Sequence, residues 1–465
     1  MKHTLPLDRT EARRGLALAS ASSRQHMSNI KSLPELFVED PPRGPRHRPL
    51  PPLLTATEPG TWAHDTMSRR IREEILARIF RENTFFSGAV LDRLKQLDRE
   101  LAEPTAHRLR PLEEPPPGGD PAPDLFTWNR RILERFHDCN WLSSPWCIAE
   151  FYFYRRVMEA VEYFSTKLDP FRKQKELGVS ANTKTMDEWA SRVLPLLQTP
   201  LRRSTERKHW FTHFVQIALN GNRMDLSLWP VGGETPAVDT ETGVRLLVDD
   251  GERLWEYVAA SMPIAEIGII VDNAGMELFS DLLLADYLVH SGIAERVVFH
   301  TKGHPTFVSD ATATDLHTMV QVLGDMPRDM PLQRLASRWA RYLGDGSWRC
   351  RDDLFWAQPQ AFWEMDDPLW DCIRQEVLVF VKGDANYRRL LGDRAWPLST
   401  PFSDVVSYWP SAICALRALK AELGCGIPAE AAMRAACEDP KWMVNGRWAL
   451  VQFFAQRQSD ARDTL

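Results

Sequence analysis

Apolar residues recur along this chain with two different periods, and the period changes near the middle. From residue 66 to about 219 the spacing is helical. The segment 66–83, TMSRRIREEILARIFREN, sets Met67, Ile71, Ile75, Ile79 and Phe80 on one side with Arg and Glu opposite, as an amphipathic helix does. Helix continues over 87–103, and WCIAEFYFYRRVMEAVEYF (146–164) predicts a helix crowded with aromatic residues, a stripe suited to packing against other helices. Beyond residue 220, short β-rich runs alternate with helical ones. GVRLLVDD (243–250), IAEIGIIV (264–271), ERVVFHTKG (295–303), EVLVFVKGD (376–384) and GRWALVQFF (446–454) predict strands. Helices are expected between them: GERLWEYVAAS, a stripe of Met276, Phe279, Leu283 and Tyr287, and a stretch from 311 to about 342. This alternation predicts an α/β fold, a doubly wound, mainly parallel sheet forming an α/β/α core.

Punctuation divides the chain into three. PPRGPRHRPLPPLL (41–54) is dense in proline and has no helical period, so residues 1–60 read as a tail or linker. Residues 61–220 read as a mostly helical domain, interrupted by the surface loop LRPLEEPPPGGDPAPD (109–124), where proline breaks both helix and ladder. The polar, glycine-containing stretch 219–234 opens the α/β core, 221–465.

Polar groups collect just after three of the expected strands. Asp272 and Asn273 follow the run that ends at Val271; His304–Thr312, HPTFVSDAT, with Ser309 and Asp310, follows the next; KGDANYRRLLGDRAWP (382–397) follows the fourth. Parallel strands point the same way, so these groups converge on one rim, where ligands of open α/β sheets bind. Asp272 or Asn273 alone could simply cap the next helix. Two carboxylates and an amide together are hard oxygen donors suited to a divalent cation. Lys302, Lys382, Arg388 and Arg389 lie close by in sequence and could neutralise an anionic substrate, Arg388 as a bidentate phosphate ligand. For Arg389 and Arg394 a solvated loop position is the expectation. Metal, carboxylate and cation, without a catalytic thiol, suit phosphate-ester hydrolysis. Glu277, one turn into the helix after Asp272, is a candidate to hold a metal-bound water. Asn222 and Asp225 in GNRMDLS are candidates to line the pocket.

Composition narrows the classes. The 465 residues carry a formal net charge of -6, which gives no reason to expect nucleic acid as a partner. No apolar run approaches the roughly 20 residues a bilayer span needs. Seven cysteines without a CxxC pair fit a reduced compartment. The first thirty residues lack the apolar core of a secretory signal, and the cytoplasm is the expected location, with a mitochondrial presequence in the N-terminal tail as the alternative. GxxxxGK[ST], HExxH, GxSxG and a strand-following GxGxxG are absent.

DNAGMELFSDLLLADYL, KGHPTFVSD, KGDANYRRL and GNRMDLSLW, with SSPWCIAEFYFYRR and DPFRKQKELG earlier, resemble the damage-control phosphatases, most closely their eukaryotic sugar-phosphate phosphatase branch. The resemblance runs from about residue 60 to the end. It implies a helical N-terminal domain on an α/β/α core, a divalent metal (Mn²⁺, Co²⁺, Ni²⁺ or Mg²⁺) on Asp272, Asn273 and Asp310, and small phosphorylated substrates such as fructose 1-phosphate or fructose 6-phosphate. Substrate binding is then implied for Asp272 and Asn273 again, for Asp384, Ala385, Asn386, Tyr387 and Arg388, and for Lys420. The branch's Arg-Thr-x-Lys motif reads Arg417-Ala418-Leu419-Lys420 here; both cations persist and the hydroxyl is missing. Either a metal-activated water or an aspartate would attack. Two other readings compete: a carboxyl methyltransferase using S-adenosylmethionine, and a binding protein without turnover. The first would need a glycine-rich turn where Asp272 and Asn273 stand; the second has only Ala418 in its favour.

Overall fold

The structure, a computed structural model, describes residues 43–114, 122–198, 204–221 and 244–456. Asn222 and Asp225 lie outside these residues. Seven strands form one sheet in the order β1-β7-β6-β5-β2-β3-β4: β1 (Arg245–Asp249), β2 (Ile267–Ile270), β3 (Val297–Lys302), β4 (Trp348–Asp353), β5 (Leu378–Lys382), β6 (Ala412–Ala418) and β7 (Trp448–Phe454). Five of them, β4, β3, β2, β5 and β6, run parallel; β7 is antiparallel to β6 and carries β1 with it. Every residue of β2, β3 and β5 is buried, as central strands covered on both faces must be. That accounts for the apolar run of β2 and for the apolar residues that open β3 and β5, ahead of His300, Thr301, Lys302 and Lys382.

Two strands escape the sequence patterns. β4, WRCRDD, is the sheet's edge, paired only to β3 and partly exposed, so charged residues are tolerated and useful there. β6, AICALRA, is buried except at its last residue. Its Ala and Leu are also good helix formers, and only its place between β5 and β7 makes it a strand.

Among the helices that matter below, α1 (Thr66–Leu76) is an eleven-residue π-helical stretch that runs directly into Ala77–Glu82. α2 (Trp146–Ala160) is buried along nearly its whole length, including Glu150, Arg155 and Arg156. α3 (Arg172–Ser180) and α4 (Ser204–Asn220) lead to the sheet; α5 (Met276–His290) follows β2, and α6 (Asp384–Leu390) follows β5. The proline-rich segment is described from residue 43 onward and is pinned to the rest of the molecule, with Leu54 N–H donating to Asp393 and Trp146 N–H donating to Leu54.

The strand order locates the rim that matters. From β2 the chain winds outward through β3 to β4, whereas β5 sits on the opposite side of β2 and leads to β6. The order therefore switches between β2 and β5. The crevice at their carboxyl ends is where such sheets bind ligands.

Candidate metal centre and substrate cavity

Backbone hydrogen bonds zip together the loops that follow β2 and β3. Val271 N–H donates to His300, Ala311 N–H to Asp272, Ala274 N–H to Ser309 and Lys302 N–H to Ala311, at 2.7 to 3.1 Å. Asn273 and Asp310 form an isolated antiparallel bridge. Asp272, Asn273 and Asp310, thirty-odd residues apart in sequence, thereby become neighbours. The helix-capping alternative fails: α5 is capped at Gly275, with no side-chain cap bond.

Both carboxylates are out of water, Asp272 at 6% exposure and Asp310 at 1%. Burial, their mutual repulsion and Glu277 push Asp272 well above the usual carboxylate range. Burial likewise raises Asp310, with Lys302 working against the shift. Lys302 Nζ is 3.3 Å from Asp310 Oδ2 and donates to Asn386 Oδ1 at 2.9 Å. Among the described residues Asp310 Oδ2 has that ion-pair partner but no aligned hydrogen-bond donor, a costly condition for a buried oxygen. Asn273 Nδ2 donates to Asp272 Oδ2 at 2.8 Å and to Glu277 Oε2 at 3.0 Å, and Ser309 Oγ stands 2.5 Å from Asn273 Oδ1. A serine hydroxyl can donate or accept, so it accommodates either orientation of that amide.

These donors fit a divalent cation. Among the described residues no three His, Cys, Asp or Glu side chains cluster as a metal site; the set here is two carboxylates and an amide, all oxygen donors of the hard kind. A cation would complete the partners of the Asp310 oxygen and relieve the repulsion that helps to raise Asp272.

The wall opposite is built by β5. Gly383, at φ 82 and ψ 173, turns the chain from β5 into α6. A Cβ on Gly383 would lie 2.0 Å from Asp272 Oδ2 and 2.1 Å from its Cγ. Only glycine lets the backbone come this close to the carboxylate. Asp384, the first residue of α6, accepts from Arg417 Nε at 2.8 Å and from Lys420 N–H at 3.0 Å. Lys420 Nζ stands 4.0 Å from Glu277, whose charge leads the forces that raise its pKa.

A cavity of about 340 Å³ opens over these groups. Asp272, Asn273, Ser309, Asp310, Asp384, Ala385, Arg388 and Lys420 line it. Asn386 and Tyr387 do not. Asn386 is buried and donates to Val271 O and Lys382 O at 3.0 and 2.9 Å, fastening β2 to β5 and receiving Lys302. Tyr387 donates to Gln452 Oε1 at 2.7 Å and lies under the Arg417 guanidinium.

Arg388 reaches the cavity wall, but its fork is already used. Nε and Nη2 donate to Asp393 at 2.8 and 3.2 Å, Nη1 donates to Glu150 at 2.6 Å, and the guanidinium lies 3.5 Å from the centre of the Trp146 ring. Burial opposes its charge, and the two carboxylates more than offset that. Lys382 turns away from the rim to pair with Asp281 at 2.6 Å and with the carbonyl of Ala218. Arg389 is no solvated loop residue: it is fully buried, donates to the carbonyls of Phe355, Trp356 and Gln360, and is stacked by Phe355 and Phe362. Arg394, half-buried, donates to Pro51 O.

The other half of the cavity comes from the helical region. Thr66, Arg70 and Glu74 of α1 and Arg78 just beyond it line the cavity, with Trp62, Tyr154 and Gln174 nearby on its wall. The sequence carries a trace of this: 66, 70, 74 and 78 recur every fourth residue, each one position before a residue of the apolar stripe and so flanking it. Two residues of the loop before Asp310 also line it. Phe307 and Val308 adopt φ of 45° and 69°, a region costly for a side-chain-bearing residue and most of all for a β-branched one. Phe307 is held there by ring contacts with Phe151 and Tyr154 of α2, at 4.7 and 4.9 Å between centres.

Comparison with known proteins bears on the family of the chain. A family model described as the damage-control phosphatase ARMT1-like domain matches residues 61–434. A Danio rerio protein named damage-control phosphatase ARMT1 is 33% identical over 364 residues, covering 72% of this chain and 80% of its own. The Mus musculus protein of the same name is 29% identical over 442 residues, 87% of this chain and 98% of its own. The Homo sapiens protein is 30% identical over 337 residues, 67% of this chain and 75% of its own.

Proposed function

This chain belongs to the ARMT1-like damage-control phosphatase family, and on that premise we propose that it is a metal-dependent phosphatase of small sugar phosphates, such as fructose 1-phosphate and fructose 6-phosphate. A phosphatase role in metabolite repair follows from the membership. The metal, the substrate class and the residue roles are the reading added here. One observation carries it: at the β2/β5 switch point two buried carboxylates and an amide face a cavity, and among the described residues one of their oxygens has an ion-pair partner, Lys302, but no aligned hydrogen-bond donor.

Asp272, Asn273 and Asp310 would hold a divalent cation, which supplies Lewis-acid polarisation of a phosphoryl oxygen. The chain's own groups do the rest. Lys420, about half exposed at the cavity edge, is placed to share the negative charge of the phosphoryl group. Asp384 holds the Lys420 backbone and Arg417 together, so α6 and the Arg417-Ala418-Leu419-Lys420 segment keep one geometry. Lys302, hidden behind Asp310, balances part of the acids' charge without reaching the cavity. Arg388 enters as a wall of the cavity, since its donors are committed to Asp393 and Glu150.

Asp272→Ala tests the reading. Release of phosphate from fructose 1-phosphate should disappear while the circular dichroism spectrum stays unchanged. Hydrolysis at the wild-type rate in that variant would remove Asp272 from the mechanism.

A further inference from the structure

We propose that Arg70, on the helix that roofs the cavity, is the guanidinium that grips the phosphate of the substrate, the part that the motif would give to Arg388. The inference rests on the phosphatase reading above and names a binding residue outside the α/β core.

A phosphate site that draws on one guanidinium needs its fork accessible, pre-positioned and not already shared with carboxylates. Arg388 fails the first and last conditions. Its side chain is 4% exposed, and two carboxylates occupy it from 2.6 to 3.2 Å. Displacing them to receive phosphate would leave Glu150 and Asp393 buried without their cation.

Arg70 is accessible and pre-positioned, and a single long contact to one carboxylate is all that it shares. Its side chain is 27% exposed and lines the same cavity as Asp272, Asp310 and Lys420. Three contacts from its own segment hold it: the guanidinium lies 4.2 Å from the centre of the Trp62 ring, Nη1 donates to Thr66 Oγ1 at 3.3 Å, and Nε donates to Glu74 Oε2 at 3.3 Å. The Glu74 contact is long, and Glu74 is shared with Arg69, which takes its other oxygen at 2.7 Å. Stacking on an aromatic face fixes the plane of a guanidinium and leaves its edge to point at an anion. Tyr154 lines the same cavity wall. One turn beyond Glu74, Arg78 adds a further cation to this wall, hydrogen-bonded to the neutral Gln174 at 3.0 Å.

The consequence is a division of labour. The core supplies the metal donors and Lys420, and the helical roof supplies the guanidinium, so a phosphate is clamped between them. Closing a site between two elements also excludes water from the phosphoryl group.

The experiment uses inorganic phosphate as probe, titrated calorimetrically into the full chain with saturating Mn²⁺. Arg70→Gln removes the charge and the fork, and Arg70→Lys keeps the charge alone. Arg72→Gln is the control: Arg72 pairs with Asp98 and does not line the cavity. Loss of one charge-assisted contact of about 1.5–3 kcal/mol corresponds to a tenfold to hundredfold weaker Kd for Arg70→Gln. Arg70→Lys should fall between, Arg72→Gln should match the wild type, and urea midpoints should stay within error for all three. Phosphate binding by Arg70→Gln equal to wild type overturns the proposal, as does a wild type that binds no phosphate. Turnover separates this from the broader reading: a wild type that hydrolyses sugar phosphates with Arg70→Gln unaffected rejects Arg70 alone. Arg70-dependent phosphate binding without any turnover upholds the clamp and rejects the phosphatase.

Discussion

Gly383→Ala is the sharpest perturbation of the centre that leaves every candidate ligand in the chain. Two penalties arise from one methyl group. At φ 82 and ψ 173 the backbone occupies a region essentially confined to glycine, at a cost of about 1–3 kcal/mol for alanine. The new Cβ would also overlap the Asp272 carboxylate, 2.0 Å from Oδ2 and 2.6 Å from Oδ1. Asp272 cannot simply slide away, because its carbonyl receives Ala311 N–H at 2.8 Å. Overpacking of this kind costs roughly another 1–3 kcal/mol. The sum, about 2–6 kcal/mol of stability, is read from urea unfolding followed by tryptophan fluorescence. Displacing the carboxylate by about 1 Å should cut turnover on the order of a hundredfold, read as phosphate release with Mn²⁺ present. Gly346→Ala separates the two effects: Gly346 also has φ 82, but nothing lies within 4 Å of its Cβ position. It should lose about 1–2 kcal/mol and keep full activity. A Gly383→Ala protein with wild-type turnover would refute the claim that the β5 turn presses against a working Asp272.

Arg388→Gln should act on stability first. It leaves Glu150 and Asp393 buried without their cation, a loss of roughly 3–5 kcal/mol, seen as a lowered urea midpoint; an unchanged midpoint would show that the pair is dispensable. His304 sets an acid limit. Burial depresses its pKa from the ordinary 6.5 to about 4, so the unfolded chain takes up a proton that the folded one refuses. Its contribution is therefore complete above pH 6.5 and lost as pH falls towards 4, by about 3 kcal/mol at most. His304→Phe should flatten the stability profile between pH 6.5 and 4, and a profile of unchanged slope would remove His304 as the cause.

The rim was legible because its chemistry is local. Asp272-Asn273, Ser309-Asp310 and Asp384 each follow an apolar run that reads as a strand, and parallel strands deliver their ends to one edge. The five runs read as strands, including β2, β3 and β5, are strands in the structure. What stayed hidden depends on partners distant in sequence. β4 looks polar because it is an edge, and β6 looks helical until β5 and β7 flank it. Arg388 and Arg389 stand next to each other in a basic run, yet one is bound by Glu150, 238 residues away, and the other is caged by aromatic rings and carbonyls. No local pattern separates them. The roof was half legible: the apolar stripe of 66–83 marked the helix, but not that the flank beside it would close over a rim two hundred residues later. The two positive φ values at Phe307 and Val308 left no mark in the sequence, since neither residue favours that conformation.

The most direct test of the central claim is phosphate release from a panel of sugar phosphates by metal-stripped protein, with Mn²⁺, Co²⁺, Ni²⁺ or Mg²⁺ added back singly, beside Asp310→Ala. The expected result is hydrolysis that is absent without cation, returns with at least one of them, and is lost in Asp310→Ala. Turnover that is indifferent to metal and survives Asp310→Ala, or no release with any cation, would contradict it.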